Sequence, residues 1–211
     1  VSALLSHTNS YVAARAIWLL PHLGEKGLKK TIELLQSDRA EFRLVAYRSL
    51  RRLDQNLLPH ALVLAKDPSA GVRRDVALSM RNFSAKKAGP VLVEVAKRYD
   101  GKDKNYVEAI GLGSAGKESS IWKYLKGALG IYDPLKWDDA FVRITWRLGA
   151  KEAINDLQKR IKSEKLSSDH RLFAVESIAF INHEDAPDAL LKLGKDLTND
   201  EIKDAITHWI L

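Results

Sequence analysis

The sequence predicts an all-α fold, an α-solenoid of about six to seven helical hairpins. Three observations predict it. An amphipathic stretch, residues 38–53, returns along the chain at a spacing of about 30 residues. Its copies are at 11–20, 71–80 and 170–181, with weaker ones at 105–113, 141–149 and 201–211. No segment sustains the two-residue alternation of a half-buried strand. A helical repeat of this length marks an architecture in which each unit buries its apolar face only on its neighbours.

Taken in order, residues 1–6 read as the end of a first helix. Asn9 or Ser10 can cap the next, which runs to about His22 and closes at Gly24; Pro21 is expected to bend or stop it. Residues 26–36 and 38–53 form the second pair. In the latter, Phe42, Val45, Ala46, Ser49, Leu50 and Leu53 recur at three- and four-residue steps and so share one face. Asp38 is placed to cap that helix. Pro59 opens the third pair, at a first-turn position where its missing N–H costs nothing, and residues 71–83 complete the pair after the turn Asp67-Pro68-Ser69. Pro90 and Pro187 are expected to open helices in the same way. The fourth pair is then 90–99 and 105–112, the fifth 117–129 and 137–148, the sixth 151–162 and 169–181, and the seventh 186–193 and 198–211. All of residues 1–211 belong to one such domain, and the chain reads as a fragment because it begins and stops within helical pattern.

An apolar share of 45% and a charged share of 29% fit a folded chain, and no apolar run approaches the roughly 18 residues of a membrane span. There is no cysteine, which removes disulfides, thiolate metal sites, cysteine nucleophiles and covalent haem attachment from this segment. The net charge of +7 is unevenly placed. Residues 25–87 hold 14 Lys/Arg against 7 Asp/Glu, whereas residues 88–211 hold 19 against 20. The plain reading is a solvated helix face; the functional one is an electrostatic footprint for an acidic partner. Arg39, Arg48, Arg51, Arg52, Arg74 and Arg81 are the candidate binding residues, with Lys86 and Lys87 nearby.

Other motifs are weighed against structural readings. Gly111-Leu112-Gly113-Ser114-Ala115-Gly116-Lys117-Glu118 contains a literal G-x-G-x-x-G and nearly a phosphate loop. Both motifs need a preceding strand, and residues 106–112 read as a helix. The phosphate loop also needs Ser or Thr where Glu118 stands. A glycine-rich turn after a helix is the expected role. The six histidines include no pair at i+3 or i+4. Ser168-Asp169-His170 has triad residue types, but adjacent residues cannot converge on one another in that way, and Ser168 or Asp169 is read as a cap. Trp137-Asp138-Asp139, with Trp146-Arg147, could stack a base and stabilise a cationic sugar; capping and core packing are the plainer roles. No catalytic residue, metal site or cofactor is assigned to this segment.

The repeats resemble HEAT repeats, in which an arginine early in the second helix packs against the neighbouring repeat. Arg43, Arg73 and Arg171 hold that position. Residues 92–118 (LVEVAKRYDGKDKNYVEAIGLGSAGKE) and 133–154 (DPLKWDDAFVRITWRLGAKEAI) further resemble the HEAT segment of large secreted bacterial proteins of the planctomycete, verrucomicrobial and Bacteroidetes type. Those are described as membrane-bound dehydrogenase or haem-binding-domain proteins, with a β-propeller first and a c-type cytochrome last. The resemblance implies a spacer or docking segment of an extracytoplasmic redox polypeptide, and no functional residue carries over. The expected function is thus a non-catalytic scaffold that holds a protein partner or a neighbouring domain of the same chain. A nucleic-acid-binding protein, glycosylase-like and using the basic repeats, is the alternative. A HEAT-like lyase acting on a prosthetic group is a third class that no residue favours.

Overall fold

The computed structural model describes residues 1–53 and 56–210. Its helices are α1 (Ser10–Leu19), α2 (Gly24–Glu33), α3 (Ala40–Arg52), α4 (Leu58–Leu64), α5 (Ala70–Ser79), α6 (Ala85–Ala96), α7 (Lys104–Gly113), α8 (Glu118–Leu129), α9 (Asp139–Leu148), α10 (Ile154–Lys162), α11 (Ser168–Ala179), α12 (Asp185–Asp196) and α13 (Asp200–Ile210). Short 3-10 turns connect several of them, and there is no strand among the described residues. The predicted last residue of the final helix, Leu211, lies outside the described residues.

The helices stack in two layers. The second helices of successive hairpins, α1, α3, α5, α7, α9, α11 and α13, each pack on the next. In the other layer α4 packs on α6, α6 on α8, and α10 on α12. With the 3-10 turn Ser2–Ser6 standing in for the first helix of the first unit, the described residues make seven hairpins of an all-α solenoid. One continuous apolar seam runs between the layers, through Ile17, Ala46, Leu50, Val76, Leu92, Ile110, Leu125, Leu157, Ile178 and Leu193. Ala46 has no exposed surface, as its place in the repeat demands.

Caps follow local chemistry. The side chains of Asn9, Asp103, Asp133 and Asp138 accept backbone N–H groups at the starts of their helices or turns. Two expected caps are corrected. Asp38 does not cap α3, whose N-cap residue is Arg39. The Asp38 carbonyl turns instead toward Nη1 of Arg43, at 3.2 Å. For α11 the cap is Ser167 rather than Ser168 or Asp169, its Oγ accepting from the His170 N–H.

Pro59 and Pro187 sit in the first turns of α4 and α12, but Pro90 does not open a helix. It lies inside α6, which already begins at Ala85. One intrahelical bond is missing there. The helix continues through it because Val91, Leu92 and Val95, just beyond, are fully buried. Gly89 makes the packing possible, since a Cβ there would meet the Tyr124 ring at 2.9 Å. The stretch read as the end of a first helix, residues 1–6, holds the 3-10 turn Ser2–Ser6 and not an α-helix.

Candidate interaction surface

The arginine at the fourth position of a second helix is structural. Arg43 makes a bidentate pair with Asp67 of the next hairpin, Nε–Oδ2 2.6 Å and Nη2–Oδ1 2.7 Å, and its Nη1 donates to the Ser37 carbonyl at 2.7 Å. Arg73 donates to the carbonyls of Asp67 and Pro68 and to the Tyr106 hydroxyl. Arg171 donates to the Ile161 carbonyl. All three are buried, so none is offered to a partner.

The six candidate arginines are distributed differently. Arg48 and Arg51 converge on the buried Asp75 of α5, with Arg48 Nε 3.0 Å from Oδ2 and Arg51 Nη1 3.6 Å from Oδ1. Their side chains stay 45% and 42% exposed. The Asp75 hydrogen bond holds the Arg48 guanidinium above its usual range, against the effect of burial. Arg74 reaches Asp103 across to α7 at 3.4 Å. Arg39 stands at the opposite end of α3, roughly 20 Å along the helix from Arg52, where it pairs with Glu41 and lies over the Phe42 ring at 4.0 Å. Arg52 and Arg81 are exposed, and no ion pair joins either among the described residues. Lys117 Nζ donates to the Arg81 carbonyl at 3.0 Å and extends the basic edge; burial and the neighbouring Arg81 lower its pKa, while Glu118 opposes them.

These pairs belong to a ladder that sequence reasoning missed. Arg43–Asp67, Arg48–Asp75, Arg74–Asp103, Lys123–Glu152 and Lys126–Asp156 all join one hairpin to the next. Their members lie 24 to 30 residues apart. Opposite charges recurring at about one repeat length were the available signal.

Within the ladder, Glu152 is the acid-sensitive member. Burial raises its pKa, but the Lys123 ammonium, 2.8 Å from Oε1, and the polar groups around it overcome this and bring it from 4.5 to about 2. A depressed carboxyl pKa stabilises the fold above its unfolded value, and the stabilisation fades as pH falls through the folded one. Between pH 4.5 and about 2 the melting temperature of the native chain is therefore expected to fall more steeply than that of Glu152→Gln. Parallel acid profiles would refute this assignment.

The remaining motifs resolve into structure. A Cβ on Gly111 would come 2.4 Å from Cζ of Arg147, and one on Gly113 would come 2.1 Å from the Ala77 carbonyl oxygen. Gly116 has φ +76°, the left-handed conformation that follows a helix. Trp137 is buried against Trp122 and Phe141, ring centroids 6.2 and 5.0 Å away, so it cannot stack a base. Asp138 caps α9. The buried Arg160, without a carboxylate partner among the described residues, donates to the Pro134 carbonyl and lies 5.8 Å from the Trp137 ring, which pins the preceding turn. Exposed Asp139 meets His170 Nε2 at 3.3 Å, and Ser167 Oγ lies 3.1 Å from His170 Nδ1. The three form a solvent-facing tie between α9 and α11.

Among the described residues no helix is long and apolar enough to cross a membrane, and no group of three or more His, Asp or Glu is placed to hold a metal ion.

No protein-family profile matches the chain. No curated protein matches it either. Among solved structures, the chain is similar to two engineered proteins from the Northeast Structural Genomics Consortium. The first is 17% identical, with 99% of this chain and 66% of that one covered and a TM-score of 0.49. The second is 15% identical, with 99% and 92% covered and a TM-score of 0.40.

Proposed function

We propose that the chain is a non-catalytic interaction module, a HEAT-like scaffold that holds an acidic partner protein or a neighbouring acidic domain on the basic edge of α3 and α5. One observation carries the reading. Arg48, Arg51, Arg52, Arg74 and Arg81 reach solvent from α3, α5 and the turn after α5, and among the described residues their ion-pair partners are Asp75 and Asp103. Such a surface steers an acidic partner and sets its orientation more than it adds raw affinity. A rigid stack of short hairpins suits that role, because a curved surface is what repeat architectures present. The redox context implied by the sequence resemblance belongs to the same proposal. In source cells, a polypeptide well above 23.7 kDa that stains for covalent haem supports it; a band near that mass without haem overturns it.

The test uses Arg52→Glu/Arg81→Glu, which breaks no ion pair among the described residues. Its probes are a glutamate-rich peptide and a short DNA duplex. The variant is expected to melt like the native chain and to lose about tenfold in affinity for the peptide, mostly through a slower on-rate. Native-strength binding by the variant would overturn the assignment of this edge. Tighter binding to the duplex than to the peptide, falling steeply with salt, would move the module to the nucleic-acid class.

A further inference from the structure

A cavity of about 810 Å³ opens between α7, the start of α8 and the ends of α9 and α11, lined by none of the candidate arginines of α3 and α5. That volume suits a small molecule or a few side chains. Trp146 and Phe180 form its apolar wall, edge to face with centroids 5.8 Å apart, and Phe180 is 52% exposed. Arg147, Lys151 and His183 supply basic groups, and Glu108 and Glu118 supply carboxylates.

Both carboxylates have partners inside the protein. Glu108 Oε2 accepts from Arg147 Nε at 2.7 Å, and Glu118 Oε1 accepts from the Gly116 backbone N–H at 3.0 Å. Lys151 Nζ, by contrast, meets only the imidazole of His183 among the described residues, at 3.2 Å. Lys151 is thus a cation with no carboxylate partner among the described residues, and it lines the cavity together with the exposed Phe180 ring; His183 is turned to Asp185, its Nδ1 3.2 Å from Oδ2. Arg147 is held ready as well. Its guanidinium lies flat on α7, where Gly111 has no side chain to displace it, and Glu108 fixes one edge. Groups set in place before binding lose little entropy on binding.

We propose that this cavity binds a carboxylate carried on an aromatic or branched apolar body. The carboxylate sits between Lys151 and Arg147, and the apolar part lies against Trp146 and Phe180. The chemistry is shared by a free aromatic acid and by an acidic–aromatic segment of a partner protein. The proposal does not rest on the α3 and α5 edge, and either can fail alone.

The test is an NMR titration of the chain with N-acetylphenylalanine, its uncharged amide, and a short Phe-Glu peptide. The acid is expected to shift the Trp146 indole and the Lys151 and Phe180 amides. The amide is expected to bind about tenfold more weakly, the loss of one charged hydrogen bond. Lys151→Gln should reduce the acid to the amide's affinity without changing the melting temperature, and Phe180→Ser should weaken both. Equal binding of acid and amide, or no shift at these residues at tens of millimolar, overturns the proposal. With the site established, tighter binding of the peptide assigns a protein partner, and tighter binding of the free acid assigns a small molecule.

Discussion

Arg43→Met is expected to destabilise the second and third hairpins by about 3–5 kcal/mol, the cost of removing one partner of a buried ion pair. The side chains are 10% exposed for Arg43 and 2% for Asp67. Without the guanidinium, Asp67 keeps a single donor among the described residues, the Ser69 N–H at 2.8 Å. The carbonyl of Ser37 loses its short bond from Nη1 as well. An unpaired buried carboxylate is the larger of the two penalties. The double variant Arg43→Met/Asp67→Leu should recover most of the loss, because a well-packed apolar pair is often as stable as a buried ionic one. Because repeats can open locally, the measurement is hydrogen exchange at residues 37–43 and 67–69 together with thermal melting. A single variant within 1 kcal/mol of the native chain would show that the pair does not hold these hairpins together.

This pair also marks how far the sequence could be read. Arg43, Arg73 and Arg171 were visible as one repeated position because the same residue type recurs in register. Their partners were not, since one is a carboxylate, one a phenol with two loop carbonyls, and one a carbonyl alone. The helical pairs were legible from the apolar period. Their edges were less so wherever the backbone satisfied itself without a local cap, as at Asp38, or where burial outweighed a proline, as at Pro90. The basic surface was legible as composition only. Charge counting could not tell Arg48 and Arg51, which share Asp75, from Arg52 and Arg81, because the counter-charge comes from the next repeat. The cavity at α7, α9 and α11 was not legible, since its walls come from residues as far apart as Glu108 and His183.

Gly113→Ala is expected to destabilise the chain by about 3 kcal/mol, at the upper end of overpacking costs. In an ordinary helix the same change stabilises by up to about 1 kcal/mol, because alanine loses less backbone entropy than glycine. The sign reverses here because the new Cβ would stand 2.1 Å from the carbonyl oxygen and 2.9 Å from the carbonyl carbon of Ala77. Those are backbone atoms of α5, so no rotamer change relieves the clash, and α5 and α7 must move apart along the seam they share. Gly127 supplies the control. It lies within α8, and a Cβ there meets nothing within 4 Å. Gly127→Ala should therefore raise the melting temperature while Gly113→Ala lowers it. Gly111→Ala falls between them, because the atom it strikes ends a flexible arginine that can swing away at the cost of its bond to Glu108. If Gly113→Ala instead melts at or above the native temperature, α5 and α7 do not approach this closely. The glycines of residues 111–116 would then lose their packing role, and the phosphate-loop likeness of that stretch would have to be tested directly with nucleotide.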